Sequence, residues 1–204
     1  MKKDFTARIV GLPEVYEMAY VISQKVTESN LKFDVIVGIA RGGFPPARFV
    51  CDFLNIKTLT SVQIRHYTGG AKEKKDIEIT DAVGIDLQDK NVLIVDDVND
   101  SGKTLTAAVN HIKAKGASEF KTAVLHEKDN TSLKADFVGG YLDDWKWLIY
   151  QWAATEDLVE FLQGDDMLTA GQQEIRSHLE DTYELEVSGE LIEKVMAMKG
   201  NYLR

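Results

Sequence analysis

The chain has a single cysteine, Cys51, so it cannot form an intrachain disulfide. A chain without disulfides suits the cytoplasm, where thiols are kept reduced. No apolar run approaches the roughly 20 residues of a transmembrane helix, and no apolar signal segment follows residues 1–4. The four histidines lack the spacing of zinc ligands. We therefore expect a cytoplasmic protein that makes no contact with a membrane.

The chain also lacks an excess of positive charge: it has 24 Lys and Arg residues and 33 Asp and Glu residues, which gives a net charge of −9. The imbalance is concentrated in residues 155–204, which carry −8, whereas residues 1–154 carry −1. Proteins that bind nucleic acid usually present a basic face to the phosphates. The acidic balance therefore argues against nucleic acid as a partner.

The most informative segment is residues 92–106, which read Val-Leu-Ile-Val-Asp-Asp-Val-Asn-Asp-Ser-Gly-Lys-Thr-Leu-Thr. The apolar residues that open it predict a short buried strand of a parallel sheet. Beyond the acids and a small polar turn, Leu105, Ala108 and Ile112 predict a helix. Open α/β sheets bind ligands beyond the carboxyl ends of their strands. We therefore expect the acids and the turn to form a site there.

The turn that follows the acids predicts an anion site, since it opens a helix whose N–H groups and dipole favour a phosphate. Ser101 and Thr104 add hydroxyl donors, and Lys103 adds a positive charge. Gly102 permits close approach of the ligand. The Ser-Gly-Lys-Thr string is not a nucleotide-triphosphatase P-loop, because that motif requires a glycine where this chain has Asp97.

Two acids beside a phosphate site suit a sugar that carries both a vicinal diol and a phosphate. Asp96 and Asp97 can accept hydrogen bonds from ribose hydroxyls while the turn holds a 5′-phosphate. A second predicted strand, residues 33–40, ends in Arg-Gly-Gly at 41–43, and a helix begins near Pro45. Its cation and unhindered amides suit a leaving pyrophosphate at the same edge of the sheet.

Residues 92–105 resemble the 5-phosphoribosyl-1-pyrophosphate (PRPP) motif of the type I phosphoribosyltransferases, and the resemblance covers about residues 30–155. Within this family it is closest to the 6-oxopurine enzymes, which use hypoxanthine, guanine or xanthine. The resemblance implies that Asp100 accepts a proton beside N7 of the purine, that Asp97 helps to hold Mg²⁺, and that a cis peptide precedes Arg41. The implied PRPP-binding residues are Ala40, Arg41, Gly42, Gly43, Asp96, Asp97, Val98, Asn99, Asp100, Ser101, Gly102, Lys103 and Thr104.

The same resemblance implies a base site. Lys128 follows a predicted strand at residues 120–126 and would donate to the exocyclic O6 of the base. Trp147 would stack on the purine, and Leu148 would offer its backbone carbonyl to the ring edge. All three tryptophans of the chain lie in this segment, so a packed aromatic corner is the alternative interpretation. The chain also departs from the family pattern, which usually has proline in place of Gln151.

We expect an α/β type I phosphoribosyltransferase fold, a mostly parallel sheet flanked by helices, with a small hood built from both ends of the core. Residues 1–154 would form the phosphoribosyltransferase domain. Residues 155–204 would form an acidic helical C-terminal extension, with helices at 156–163, 170–183 and 189–198. We interpret the extension as a helical cap on the core or on a dimer; a regulatory or partner-binding role is the alternative.

Residues 67–76 are charged, flanked by glycine and without apolar periodicity, which predicts a mobile loop. By resemblance, this loop would close over the active site and exclude water. Lys72, Lys74 and Lys75 are candidates for contact with pyrophosphate, although charged runs are usually only solvated.

The function expected is transfer of the 5-phosphoribosyl group from PRPP to a 6-oxopurine, in a Mg²⁺-dependent enzyme of purine salvage. Family resemblance also favours a homo-oligomer, commonly a dimer. Two alternatives stay open. One is a phosphoribosyltransferase for another base, adenine or a pyrimidine; the other is a PRPP-sensing regulatory protein of the same fold, which the acidic charge disfavours.

Overall fold

A computed structural model describes residues 5–67, 76–142 and 145–203 of the chain. The apolar runs of the sequence form the strands, and its apolar stripes form the helices. In chain order the elements are β1 (Ala7–Val10), α1 (Leu12–Glu28), β2 (Val35–Ala40), α2 (Phe44–Leu54), β3 (Thr58–Tyr67), β4 (Asp76–Asp81), β5 (Asn91–Asn99), α3 (Lys103–Ala114), β6 (Glu119–Lys128), β7 (Phe137–Leu142), β8 (Trp147–Tyr150), α4 (Ala154–Gly164), α5 (Gln172–Tyr183), α6 (Gly189–Met198) and a 3₁₀ turn (Lys199–Asn201).

The larger sheet has six strands in the order β4-β3-β2-β5-β6-β7. Neighbouring strands run parallel except β3 and β4, which are antiparallel. The central strands are covered on both faces, which is why β2 and the first part of β5 are continuous apolar runs. The carboxyl ends of β2, β5 and β6 therefore meet at one edge of the sheet.

Helices cover both faces of this sheet. Val37 and Ile94 face α3 and share its apolar cluster. The opposite face meets α2 so closely that a Cβ on Gly38 would lie 3.2 Å from the Cβ of Ala47. On that face α1 reaches β7, where Lys25 Nζ donates to the Val138 carbonyl at 2.6 Å. The predicted fold class, a mostly parallel sheet flanked by helices, is confirmed.

The chain divides into two compact units. The core unit is Val15–Asp143 and contains the six-stranded sheet. The terminal unit combines Met1–Glu14 with Asp144–Arg204. In the terminal unit β1 pairs with β8 in parallel, and α4, α5 and α6 enclose a second apolar cluster that includes Ile149, Leu158 and Leu179. The two ends of the chain are thus joined by strand pairing.

This division does not coincide with the expected boundary between residues 154 and 155. The observed boundary lies after Asp143, because β8 pairs with β1 and its Ile149 packs with the C-terminal helices. The predicted helices of the extension correspond to α4, α5 and α6. Within the residues that the structure describes, no helix combines the length and apolar character needed to cross a membrane.

Candidate active site

Two glycines bring the segment after β2 against the end of β5. A Cβ on Gly43 would lie 2.5 Å from the carbonyl oxygen of Val95, and a Cβ on Gly42 would lie 2.1 Å from Asp97 Oδ2. At Gly43 the near atoms belong to the backbone, so only glycine allows this approach, whereas a side chain at Gly42 would displace the Asp97 carboxylate. The two segments that the sequence singled out separately are therefore in contact.

The residues before these glycines, Ala40 and Arg41, complete the turn at residues 40–43, which we call the glycine turn. The Ala40–Arg41 peptide is cis, as the family resemblance implied. Arg41 is exposed and directly precedes Gly42. Its guanidinium therefore belongs to the same edge of the sheet as the β5 acids, and it can supply positive charge there.

Asp96 is part of a strand and not of a turn, because β5 continues alongside β6 as far as Asn99. Its side chain is buried, with the residue only 7% exposed. Burial, followed by the negative charge of Asp97, raises the pKa of the Asp96 carboxyl well above its ordinary value. The Asp97 backbone N–H partly opposes that rise by donating to Asp96 Oδ1 at 3.0 Å. A ligand that donates hydrogen bonds to Asp96 would therefore stabilise the ionised form of this carboxyl.

Asp97 is more open than its neighbour and lies directly over the glycine turn. One carboxylate oxygen, Oδ1, accepts a hydrogen bond from the Val98 backbone N–H at 2.8 Å, and the other faces Gly42. This placement leaves Asp97 as the acid that can meet a hydrated cation or a hydroxyl at the edge of the sheet. Val98 acts here through its backbone, which orients the Asp97 side chain.

The predicted phosphate turn, residues 99–104, leads into the N-terminus of α3, which begins at Lys103. Gly102 is the N-cap residue with φ of +80°, a left-handed conformation that favours glycine. Ser101 and Lys103 on either side are exposed, and Thr104 is half-buried. The first N–H groups of a helix have no partner within the helix, and they carry its positive dipole. The turn can therefore bind an anion.

Asn99 differs from the expected role, because its side chain does not belong to the surface of the turn. Nδ2 donates to Glu127 Oε2 at 3.0 Å and to the Leu133 carbonyl at 2.7 Å. Oδ1 accepts from the Thr131 hydroxyl at 3.0 Å. These internal bonds occupy the whole carboxamide, which leaves only the backbone of Asn99 to face a phosphate.

Asp100 and Lys128 form an ion pair at the ends of β5 and β6. Lys128 Nζ lies 3.0 Å from Asp100 Oδ2. The lysine side chain is buried, whereas the carboxylate is half-exposed. Lys128 is the last residue of β6, so the strand holds it in place. A hydrogen-bond donor and a proton acceptor are thus adjacent, beside the phosphate turn.

Trp147 and Leu148 begin β8 in the terminal unit. Trp147 is 38% exposed, and its ring centroid lies 6.1 Å from that of Phe5. Phe5 also contacts Phe161 and Tyr183 edge-on. The alternative interpretation of an aromatic cluster is therefore realised on one side of Trp147, while part of its surface stays accessible. Leu148 is buried.

Sequence reasoning missed a group of polar residues around the phosphate turn: Glu127, Thr131 and Ser132. Glu127 is buried, and Ser132 Oγ donates to the Ser101 carbonyl at 2.7 Å. One signal could have drawn attention to Glu127, namely its position between the predicted strand at residues 120–126 and the candidate base-site residue Lys128. The candidate lysines of the loop, Lys72, Lys74 and Lys75, lie outside the described residues.

This arrangement can be compared with known proteins. A family model for a phosphoribosyl transferase domain matches residues 12–153. A hypoxanthine-guanine phosphoribosyltransferase of Saccharomyces cerevisiae is 27% identical over 213 residues, covering 80% of this chain and 95% of the relative. A xanthine-guanine phosphoribosyltransferase of Ruegeria sp. is 31% identical over 136 residues, covering 64% and 74%. The solved structure of a purine phosphoribosyltransferase from Pyrococcus horikoshii has a TM-score of 0.63 and 33% identity, covering 72% of this chain and 95% of that one.

These similarities agree with the geometry of the core unit, where the β5 acids, the glycine turn and the N-terminus of α3 meet. The matched segment contains the six-stranded sheet, the glycine turn, the β5 acids, the phosphate turn and Lys128. It also confirms the family that the motif at residues 92–105 predicted. The chain belongs to the type I phosphoribosyltransferases and is most similar to those that use 6-oxopurines.

Proposed function

We propose that this chain transfers the 5-phosphoribosyl group of PRPP to a 6-oxopurine and releases pyrophosphate, as an enzyme of purine salvage. The observation that carries the proposal is the 3.0 Å contact between Lys128 Nζ and Asp100 Oδ2. A 6-oxopurine presents a carbonyl oxygen that accepts a hydrogen bond and a ring nitrogen that loses a proton. Lys128 can donate to the first, and Asp100 can accept the proton of the second.

PRPP would bind along the edge formed by β2, β5 and α3. Asp96 and Asp97 accept hydrogen bonds from the ribose hydroxyls. The backbone of residues 99–104 and the side chains of Ser101, Lys103 and Thr104 hold the 5′-phosphate at the N-terminus of α3. Arg41 and the amides of the glycine turn receive the pyrophosphate. Neutralising a charge that develops on a leaving group is one of the larger contributions to catalysis.

The reaction exchanges one bond at the anomeric carbon. A purine nitrogen attacks that carbon, and the bond between the carbon and pyrophosphate breaks with its electron pair going to pyrophosphate. The transition state resembles an oxocarbenium ion, as in glycoside hydrolysis. Asp100 takes the proton that the purine loses, and holding both substrates in place supplies much of the remaining acceleration.

Mg²⁺ fits this site as an ion shared with the substrate. Mg²⁺ is usually held by one or two carboxylates together with substrate phosphates, and Asp97 offers one such carboxylate. Among the described residues, no group of three or more His, Cys, Asp or Glu forms a complete metal cage. When bound, the ion would offset the negative charge of the diphosphate.

In line with the family resemblance, Trp147 would stack on the purine and Leu148 would offer its backbone carbonyl to the ring edge. We further propose that residues 1–154 are the catalytic domain, that residues 155–204 are an accessory extension, and that the enzyme is a cytoplasmic homodimer. The family model, which ends at residue 153, supports the first part of this division.

A panel of bases tests the proposal. The purified chain is incubated with PRPP and Mg²⁺ and, separately, with guanine, hypoxanthine, xanthine, adenine, orotate and uracil, and pyrophosphate release is measured. We expect release with at least one 6-oxopurine and little or none with the other bases. Release only with adenine or a pyrimidine would replace the substrate class. No release with any base, together with tight binding of PRPP, would favour a PRPP sensor.

A further inference from the structure

The ends of β5 and β6 carry two side-chain pairs. Asn99 and Glu127 are register partners in the parallel ladder. Lys128, the last residue of β6, pairs with Asp100, which directly follows the end of β5; this is the ion pair of the candidate site. Because side chains alternate along a strand, Glu127 lies on the opposite face of β6 from Lys128, and Glu127 and its partner Asn99 are both buried.

Glu127 is a buried carboxylate to which the proposed reaction assigns no role. The residue is 1% exposed. Its Oε2 accepts hydrogen bonds from Asn99 Nδ2 at 3.0 Å and from the Ala135 backbone N–H at 2.7 Å. Its Oε1 lies 3.5 Å from Lys134 Nζ, on a side chain that is 57% exposed. A carboxylate is buried at low cost only when donors and a cation compensate its charge. The same bonds fix the positions of the groups that donate them.

The residues that Glu127 holds belong to the segment between β6 and β7, residues 129–136, which we call the β6–β7 loop. This loop packs on the phosphate turn. The backbone N–H and hydroxyl of Ser132 both donate to the Ser101 carbonyl, at 3.3 and 2.7 Å. A Cβ on Gly102 would lie 2.7 Å from the Leu133 backbone nitrogen. The phosphate turn therefore rests on the loop.

We propose that Glu127 is a positioning residue for the 5′-phosphate site. Through Oε2 it fixes Asn99 at the start of the phosphate turn and Ala135 at the end of the β6–β7 loop, so the turn and its support keep one geometry. The inference rests on the proposed function, since it concerns the PRPP site of that reaction. Glu127 does not touch the substrate, and its effect is exerted through Asn99, Ser101 and Gly102.

Two substitutions separate hydrogen bonding from charge. Glu127→Gln can place its amide oxygen where Oε2 lies, so both buried bonds persist and only the ion pair with the largely exposed Lys134 is lost. Glu127→Met keeps a similar volume but has no strong acceptor, and it leaves two N–H groups without their partner. Glu119→Met is the matched control, because Glu119 is an exposed residue of the same strand.

The measurement is the dissociation constant of PRPP with Mg²⁺ by calorimetry, with steady-state KM values for PRPP and the base. We expect Glu127→Met to weaken PRPP binding roughly ten-fold or more, because two buried hydrogen bonds are lost. The KM of the base should change much less. Glu127→Gln should restore PRPP binding to within about two-fold of the wild type, because it keeps both buried hydrogen bonds and loses only the ion pair with the largely exposed Lys134. Glu119→Met should match the wild type.

Unchanged PRPP binding in a folded Glu127→Met variant would overturn the inference, as would an equal loss in the Gln variant. If Glu127→Met does not fold, Thr131→Val provides the test, because it removes the hydroxyl that lies 3.0 Å from Asn99 Oδ1 and 3.1 Å from the Leu133 carbonyl oxygen, and so loosens the same contact between the phosphate turn and the β6–β7 loop. It should weaken PRPP binding, and no change would also overturn the inference. Wild-type protein that binds PRPP but releases no pyrophosphate would count against the proposed function alone, and wild-type protein that does not bind PRPP would overturn both.

Discussion

At the end of β5, the buried carboxyl of Asp96 lies beside that of Asp97, and burial together with this neighbour raises its pKa. A carboxyl whose pKa is raised in the folded state stabilises the fold least when it is ionised. The stability it contributes is therefore present at low pH and is lost as the pH rises through the raised pKa. A ligand that donates hydrogen bonds to Asp96 offsets this effect.

The substitution Asp96→Asn tests this argument. We expect the variant to unfold at a higher temperature than the wild type at pH 8, where Asp96 is driven toward ionisation, and the gain to shrink near pH 4. PRPP binding should weaken in the same variant, because the anionic acceptor of the ribose hydroxyls is lost. Thermal unfolding at the two pH values and calorimetry measure both effects. Asp181→Asn, on the exposed surface of α5, is the control; a gain that did not depend on pH would contradict the assignment.

Asp100 gives the clearest prediction for turnover. Asp100→Asn retains the shape of the side chain but cannot accept the proton of the purine, so we expect kcat to fall by about 10²–10⁴-fold. PRPP binding should change far less, because the phosphate turn is intact. Steady-state kinetics and calorimetry separate the two effects, and Asp52→Asn on the surface of α2 serves as the comparison. Wild-type turnover in Asp100→Asn would remove the proton-acceptor role.

At the scale of elements, the apolar periodicity predicted the sheet and its helices well, and α6 matches the predicted helix at residues 189–198. The sequence placed the end of the β5 strand too early, before Asp96. Polar residues usually end a strand, but here β6 extends alongside and its ladder carries β5 to Asn99. That pairing depends on a distant segment of the chain, so local patterns could not reveal it. The role of Glu127 was hidden for the same reason.

The start of α3 gives a prediction about backbone geometry. Gly102→Ala places a Cβ in a left-handed conformation and 2.7 Å from the Leu133 nitrogen. We expect a loss of stability of about 1–2 kcal/mol and weaker PRPP binding, because the phosphate turn must shift. Gly164→Ala at the end of α4 is the matched control, since a Cβ there meets nothing within 4 Å. Denaturant unfolding measures the difference, and equal stability of the two variants would contradict the account.

The terminal helices carry a second pH-sensitive group. Burial would raise the pKa of Asp165, but hydrogen bonds from Tyr183 and His178 to Oδ2, at 2.6 and 2.8 Å, outweigh it and lower the pKa. The resulting stability is present above the ordinary pKa of the carboxyl and is lost as the pH falls through the lowered value.

We expect Asp165→Asn to destabilise the protein by about 1–2 kcal/mol at neutral pH, with the difference shrinking in acid as the wild-type carboxyl becomes protonated. Denaturant unfolding at pH 7 and pH 3 provides the measurement. Asp166→Asn, at the neighbouring position, controls for a general change in charge. A difference as large at pH 3 as at pH 7 would show that Asp165 does not act through its ionised form.

At the scale of the whole molecule, the sequence predicted the family and which segments of the core unit meet. The contact of the glycine turn with Asp97 and the Asp100–Lys128 pair both follow from strands of one parallel sheet ending at the same edge. The sequence could not predict that the division falls after Asp143, because it depends on pairing between β1 and β8, which lie far apart in the chain.

The central claim is that Lys128 and Asp100 together select a purine with a carbonyl group at position 6. The most direct measurement is the ratio of kcat/KM for hypoxanthine to that for adenine, two bases that differ at this position, with PRPP and Mg²⁺ held constant. The account predicts a preference for hypoxanthine of at least roughly 100-fold, because hypoxanthine offers the buried ammonium group of Lys128 a carbonyl oxygen that accepts a hydrogen bond, whereas adenine places an amino group, itself a donor, at the same position. A ratio near one, or a preference for adenine, would contradict it.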